Sequence, residues 1–244
     1  MPDYGHLTEE RLPATSPAVA PLYPSAPWPL PGATVLKILY ETDPEPVLTW
    51  LPPKLSRSSP PYAVLTVARY PESPVGPFTL ATQAIGCRAA FFIRAFTLQA
   101  VTDNSAALAA LRELWGYPCK LGAIDLTAAG DSASASIKVG LDTVAEITLS
   151  GGTPIDGSSV RFDPVLNLRL APSLEEGRRH DIVQMVQIDP DCEGRDAIRG
   201  RGEVRFPSTS EVAPWHLLSS RNVISTVSCR VDTELPLARF VMPY

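Results

Sequence analysis

Short segments with strand-like patterns, separated by turn sequences, fill the second half of this 244-residue chain. They lie at residues 134–141, 144–150, 165–171, 181–188, 199–206 and 223–231. Several of them alternate apolar and polar residues, as a strand does when one face of its sheet is buried. Turn-forming sequences such as Gly-Gly-Thr-Pro and Asp-Gly-Ser-Ser lie between them. This pattern predicts a mostly antiparallel barrel or two stacked sheets.

The first half of the chain adds further strands and a few short helices. Strands are predicted at 35–40, 62–70, 78–87 and 88–101, and helices at 46–51, 105–114 and 212–218. Thr102-Asp103-Asn104 is a helix-capping sequence before the second helix. The apolar run Ala89-Ala90-Phe91-Phe92-Ile93 predicts a strand covered on both faces. The fold class expected from the whole pattern is mostly β, or α+β.

The prolines of the N-terminal region divide the chain into an arm and one domain. Residues 1–32 contain Pro13, Pro17, Pro21, Pro24, Pro27, Pro29 and Pro31. Each proline removes a backbone donor and restricts the residue before it, so we expect an extended arm that packs over the domain or over a neighbouring subunit. Residues 33–244 show no internal repeat and no boundary stronger than a turn. We therefore predict a single domain there.

The composition argues against several classes of partner. The net charge is −5 and no basic stripe is interleaved with aromatic residues, so neither nucleic acid nor an anionic membrane is an expected partner. No apolar run approaches the ~20 residues that span a bilayer. The first eleven residues are polar and acidic, unlike a secretory signal. Four scattered cysteines and three isolated histidines indicate no disulfide framework and no metal site. A reduced, cytoplasmic setting and no cofactor are expected.

The most unusual segment is Arg-Glu-Leu-Trp-Gly-Tyr-Pro-Cys-Lys-Leu-Gly at residues 112–122. Its two glycines, its proline and its aromatic residues interrupt any regular period. Lys120 lies there among apolar neighbours. A lysine that is partly desolvated has a lowered pKa, which makes its amine available as a nucleophile or a base. Alternatively, the Lys120 side chain extends to the surface, as most lysines do.

This segment resembles the active-site segment of the acetoacetate decarboxylase superfamily. The family pattern is an Arg-Glu-hydrophobic lead, an aromatic-Pro pair, two adjacent lysines, then Leu and a small residue. The resemblance extends in element order over nearly the whole chain. It implies a curved, largely antiparallel β-structure, a cone-like barrel with a few short helices, in a homo-oligomer. It also implies that the first lysine of the pair forms a Schiff base and that the second lowers its pKa.

The chain departs from the family at the residues that define its chemistry. Cys119 stands in the place of the Schiff-base lysine, whereas Lys120 and the aromatic Tyr117 are kept. The family's carboxylate-binding arginine falls at about Ala33. Its two glutamates fall at Thr66 and Leu80. These replacements remove buried charge and predict a larger, drier cavity that prefers a bulkier, less polar molecule than a small carboxylate anion.

The resemblance therefore predicts catalytic roles for Lys120 and Tyr117 and a set of pocket residues around them. The predicted pocket residues are Cys119, Trp115, Glu113, Leu80, Thr66, Ala33 and Arg94. Arg94 lies inside an apolar stretch, where it is either an anion-binding group or a charge paired at a rim. Cys119 is either a nucleophile whose pKa Lys120 lowers or a small core residue.

Three functions fit this sequence. The first is a non-decarboxylating lyase- or cyclase-type enzyme that binds a polyketide- or terpenoid-like carbonyl compound. It would promote cyclisation, isomerisation or elimination in specialised metabolism by orienting its substrate. The second is a decarboxylase or aldolase-dehydratase in which Lys120 forms the Schiff base, although neighbouring side chains of an extended segment point in different directions. The third is a non-catalytic ligand-binding module.

Overall fold

The computed structural model describes residues 3–189 and 191–243 and contains one large β-sheet. Its strands are β1 (Trp28–Glu41), β2 (Ser56–Arg57), β3 (Tyr62–Tyr70), β4 (Phe78–Ala89), β5 (Phe92–Thr102), β6 (Cys119–Leu121), β7 (Ala123–Ala129), β8 (Ser132–Val139), β9 (Asp142–Ile155), β10 (Val165–Pro172), β11 (His180–Ile188), β12 (Asp191–Arg205), β13 (Asn222–Leu235) and β14 (Phe240–Pro243). The helices are α1 (Pro44–Trp50) and α2 (Ser105–Glu113). Short 3₁₀ turns lie at Glu9–Arg11, Gly157–Ser159 and Trp215–Leu218.

The sheet confirms the predicted mostly-β fold class and shows how its strands are connected. The strand order is β14-β11-β10-β5-β4-β3-β1-β13-β12-β9-β8-β7, with β2 beside β4 and β6 beside β5. Most neighbours are antiparallel; β10 and β6 run parallel to β5. Within the described residues the path has two ends, β14 and β7, so the sheet remains open and does not close into a complete barrel.

α2 begins where the local sequence predicts, whereas α1 begins at Pro44, two residues before the predicted segment 46–51. The helix predicted at 212–218 is only a 3₁₀ turn at Trp215–Leu218. Asn104 caps α2, because its side-chain oxygen accepts hydrogen bonds from the backbone N–H groups of Ala106 and Ala107 at 2.9 and 3.0 Å. α1 begins with Pro44, a residue tolerated in a first helical turn, where its missing N–H would have no partner in the helix. α2 leads into the segment 114–118, and this segment leads into β6.

The first strand begins earlier than its sequence indicates. β1 starts at Trp28 and therefore includes the last five residues assigned to the proline-rich arm. Pro29 and Pro31 are tolerated there because β1 pairs with β13 from Trp28 but with β3 only from Thr34. The prolines thus lie where β1 is still an edge strand, and edge strands accept a residue that has no N–H.

The prediction of a doubly covered strand at residues 89–93 is wrong. Ala90 and Phe91 form the turn of the β4–β5 hairpin, and the side chain of Phe91 is 91% exposed. Ala90 has φ of 53°, in the left-handed region that suits a tight turn. An apolar run of five residues is compatible with both a buried strand and a hairpin tip, and only the pairing of β4 with β5 distinguishes them.

Two large groups of buried apolar residues stabilise the sheet from different sides. The larger includes Leu36, Ile38 and Tyr40 of β1 and extends to Trp215. The second packs α2 and the segment after it against the start of β1, through residues that include Trp28, Leu111, Trp115 and Tyr117. Within the described residues no helix is long and apolar enough to cross a membrane.

Candidate active site

Three neighbouring strands form the floor of a cavity on one face of the sheet. β1, β3 and β4 lie side by side, and alternate residues of each strand point to the same face. The strand register arranges the residues of this face in rows that cross the strands. The rows are Val35–Ala68–Leu80, Lys37–Thr66–Thr82 and Val64–Ala84–Thr97, the last residue belonging to β5. All nine residues line the cavity, so a single polar row crosses an otherwise mainly apolar floor.

Residues from other elements complete the lining of this cavity, whose volume is about 120 Å³. The segment between β9 and β10 contributes Phe162 and Asp163. The segment before β6 contributes Tyr117, and β12 contributes Cys192. Among the described residues that line the cavity, Lys37 is the single cation and Asp163 the single carboxylate.

Lys37 is held in this cavity with little contact to solvent. Its side chain is 7% exposed, and its Nζ donates a hydrogen bond to the backbone carbonyl of Arg161. The Nζ also lies 5.1 Å from the centre of the Phe162 ring, within the range of a cation–π contact. Burial lowers the pKa of Lys37, and the nearby Asp163 partly opposes that shift.

Two tyrosines of the lining are neutral hydrogen-bonding groups. Burial raises the pKa of Tyr117 and of Tyr70 well above the ordinary value of 10.0. The nearby Tyr117 raises the pKa of Tyr70 further, whereas a hydrogen bond with Asn167 partly opposes the shift of Tyr117. Tyr70 packs against Phe78, with ring centres 4.7 Å apart. Both phenols therefore keep their proton at neutral pH and are able to donate it in a hydrogen bond to a ligand oxygen.

Four of the residues predicted from sequence meet in this cavity. Tyr117, Ala33, Thr66 and Leu80 all line it. The last three occupy the positions where the family resemblance places an arginine and two glutamates. The side chains that stand there are therefore small or apolar, and the strand register brings Thr66 directly beside Lys37.

The structure places Lys120 and Cys119 outside the cavity. β6 pairs in parallel with β5, and its successive side chains alternate in direction. Cys119 is buried in the second core group, and burial raises its pKa to about 12, as expected of a core thiol. Lys120 is half-buried on the opposite side, where its Nζ donates to the backbone carbonyl of Val212. Partial burial lowers the pKa of Lys120 too.

Trp115, Arg94 and Glu113 also lie outside the cavity. Trp115 is buried and packs edge-on against Trp28, with ring centres 5.1 Å apart. Arg94 points away from the cavity, because it alternates along β5 with Ala95, which lines the cavity. The Arg94 guanidinium is half-buried and donates a hydrogen bond to the side chain of Gln187 at 3.2 Å. The carboxylate of Glu113 accepts hydrogen bonds from Tyr23 and Ser16, so it fixes the N-terminal arm.

Lys37, Phe162 and Asp163 were not identified from the sequence. The signal for Lys37 was present: it interrupts Val35-Leu36-Lys37-Ile38-Leu39-Tyr40, a strand whose other residues are almost all apolar. A lysine in the centre of such a strand is either at an exposed edge or buried with a function. No comparable signal marks Phe162 and Asp163, because they belong to an irregular segment that reaches the cavity only through the fold.

The comparisons with known proteins agree with the fold. The sequence profile of the family described as "Acetoacetate decarboxylase (ADC)" matches residues 11–244. A similar protein is "Decarboxylase DEC1" of Cochliobolus heterostrophus, which is 27% identical over 87% of each chain.

Solved structures extend this similarity to the whole fold. Acetoacetate decarboxylase from Legionella pneumophila superposes with a TM-score of 0.87 at 24% identity, over 99% of both chains. The enduracididine biosynthesis enzyme MppR, in complex with the condensation product of pyruvate and imidazole 4-carboxaldehyde, superposes with a TM-score of 0.77 at 16% identity, over 94% of this chain and 96% of MppR. The match of the family profile to almost the whole chain is decisive: this protein belongs to the acetoacetate decarboxylase family, whose members are enzymes.

Proposed function

We propose that this protein is a non-decarboxylating, lyase- or cyclase-type enzyme that binds an apolar carbonyl compound in the cavity above β1, β3 and β4. Its substrate is of the polyketide- or terpenoid-like class, and the reaction is a cyclisation, isomerisation or elimination in specialised metabolism. The observation that carries this proposal is the lining itself: two mainly apolar rows enclose one polar row, and small or apolar residues stand where the family resemblance places an arginine and two glutamates.

The charges of the lining disfavour a small keto-acid anion. A carboxylate needs a cationic partner that remains charged, and Arg is the residue best suited to that role. Lys37 is the single cation among the described lining residues, and its burial favours the neutral amine. Asp163 adds a negative charge to the same lining, which would repel a second carboxylate. An uncharged carbonyl compound meets neither difficulty.

The volume of the cavity limits which part of the substrate it encloses. An apolar cavity of about 150 Å³ is large enough to bind benzene, and the volume here is about 120 Å³. The cavity is thus somewhat smaller than that benzene site, so it encloses at most one small ring or a short branched chain of the substrate. The phenol of Tyr117 would donate a hydrogen bond to the carbonyl oxygen, and the apolar rows would hold the chain close to a reactive conformation.

Filling the cavity will weaken ligand binding. Ala68 is in the centre of the first apolar row and is 4% exposed, so Ala68→Phe would place a ring in the space that the ligand occupies. We expect wild-type protein to bind cyclohexanone, measured by ligand-observed NMR titration, and the Phe variant to bind it at least about tenfold more weakly, or 1.4 kcal/mol. Ala68→Ser, which leaves the space open, is the matched control, and circular dichroism establishes that both variants are folded.

The same protein samples separate this proposal from decarboxylation. Wild-type protein incubated with acetoacetate should release CO₂ no faster than buffer does. Enzymatic release of CO₂, or equal binding of cyclohexanone by the Phe and Ser variants, would contradict the proposal. A ligand that binds in the cavity and is never converted would favour a non-catalytic binding module.

Two further features of the protein remain predictions. We expect a homo-oligomer, which light scattering of the purified protein would test. We also expect a cytoplasmic location, where thiols stay reduced, because all four cysteines are unpaired in the structure.

A further inference from the structure

We propose that Lys37 is the reactive amine of the cavity and forms a covalent imine with the carbonyl group of the substrate. This inference rests on the proposed function, since it requires a carbonyl compound to bind above β1, β3 and β4. It assigns the covalent step to the first strand of the sheet and not to the segment 112–122, which carries the resemblance to the family.

The position of Lys37 suits such a step. Lys37, Thr66 and Thr82 are directly opposite one another on three adjacent strands, so their β-carbons are separated by about 4.5–5.5 Å from one strand to the next. The polar row thus adds two hydroxyl groups to the same floor of the cavity, and these are able to donate hydrogen bonds to a bound ligand or accept them from it. The apolar rows on either side would hold the remainder of the ligand.

The surroundings of Lys37 hold its amine in place and keep water away. The carbonyl of Arg161 accepts its hydrogen bond, and the Phe162 ring covers it from the segment between β9 and β10. Both contacts come from the same short segment, and together they anchor the Lys37 Nζ. A side chain that is already ordered loses less conformational entropy when it reacts with a ligand.

The amine is also more reactive than an ordinary lysine. With a pKa of about 10.4, a lysine is neutral in roughly one molecule in 2,500 at pH 7. Desolvation lowers the pKa of Lys37 and increases that fraction, while Asp163, Cys229 and Cys192, which face it from the neighbouring segment, β13 and β12, act in the opposite direction. The neutral form is the one that attacks a carbonyl carbon.

The proposed step is balanced without any further reactant. The nitrogen lone pair of Lys37 forms a C–N bond to the carbonyl carbon as the C–O π bond opens, and one proton moves from nitrogen to oxygen. The resulting carbinolamine loses its hydroxyl group and a second nitrogen proton as one water molecule, which leaves a C=N bond to Lys37. Asp163, the carboxylate of the described lining, is available to carry these protons. Addition of water reverses the step and releases the carbonyl compound.

Reductive trapping tests this proposal on the intact, full-length protein. Cyclohexanone is added with sodium cyanoborohydride, which reduces an imine to a stable secondary amine, and the modified lysine is identified by peptide mass spectrometry. The chain has four lysines, Lys37, Lys54, Lys120 and Lys138, so the assignment is unambiguous. We expect the adduct on Lys37, and we expect Lys37→Arg to reduce the total labelling by about tenfold or more, as the loss of an amine with a lowered pKa implies.

The control is Lys120→Met, which removes the other lysine with a lowered pKa and should leave the labelling of Lys37 unchanged. Labelling of Lys120 in preference to Lys37, or equal labelling of all four lysines, would overturn the proposal. Cyclohexanone that binds in the NMR titration but gives no adduct on Lys37 would overturn this inference and leave the proposed function intact. Cyclohexanone that does not bind would overturn both.

Discussion

Trp115→Ala will destabilise the protein by about 3–5 kcal/mol, as expected when a large, fully buried aromatic side chain is truncated. Trp115 is 1% exposed, packs edge-on against Trp28, and donates from its indole nitrogen to the carbonyl of Pro236 at 2.8 Å. The substitution removes both interactions and leaves a cavity between α2 and the start of β1. Urea-induced unfolding measures this loss of stability. Far-ultraviolet circular dichroism monitors the unfolding, because tryptophan fluorescence would itself change with the substitution.

Trp50→Ala is the matched control for this experiment. Trp50 ends α1, and 48% of it is exposed, so the same chemical change should alter the free energy of unfolding by no more than about 0.5 kcal/mol. Equal losses for the two variants would show that Trp115 is not a core residue. A loss at Trp115 with unchanged cyclohexanone affinity in the folded variant would support its placement outside the cavity.

Lys37→Met will stabilise the folded protein at neutral pH, because folding lowers the pKa of Lys37 and each unit by which a pKa is lowered corresponds to about 1.4 kcal/mol of unfavourable burial of the charge. The folded state lowers the pKa of Lys37 below its ordinary value of 10.5. Below the folded-state pKa, the lysine is charged in both states, and its burial costs the full desolvation penalty. Between that pKa and 10.5, the unfolded chain holds more protons, so the stability of the wild-type protein rises with pH.

The difference in the free energy of unfolding between the Lys37→Met variant and the wild-type protein should therefore decrease as the pH rises. The methionine variant lacks the titrating group, so its advantage is largest at low pH and disappears above a pH of about 10.5, where lysine is neutral in both states. Denaturant unfolding of both proteins across this pH range measures the difference, and the other titrating groups largely cancel. A constant difference, or one that grows with pH, would contradict the assigned burial of Lys37.

The sequence predicted the strands well because alternation and turn chemistry are local signals. The 62–70 segment coincides with β3, and α2 begins at the predicted Asn104 cap. Side-chain contacts between strands are harder to predict from sequence, because they depend on the register with which the strands pair. Ala33, Thr66 and Leu80 were found because the family resemblance fixed their positions in neighbouring strands, and all three line the cavity.

The direction of a side chain within the segment 112–122 was beyond local reasoning. Cys119 and Lys120 are adjacent in an extended strand, so only one of them faces a given side, and the parallel pairing of β6 with β5 decides which. Trp115 and Glu113 have the residue types of a pocket, yet they serve the core and the arm. The sequence alone does not show that Lys37 is buried, because a lone charge in a strand is usually at the surface, whereas β1 has β3 on one side and β13 on the other.

The central claim is that Lys37 carries a largely desolvated amine inside an apolar cavity. Carbon-13 NMR of protein labelled at the lysine ε-carbons measures this directly, because a chain with four lysines gives few signals and Lys37→Arg identifies the one that belongs to Lys37. We predict that this signal titrates below the ordinary value of 10.5, because burial disfavours the charged amine. A Lys37 signal that titrates at or above 10.5 would contradict the account.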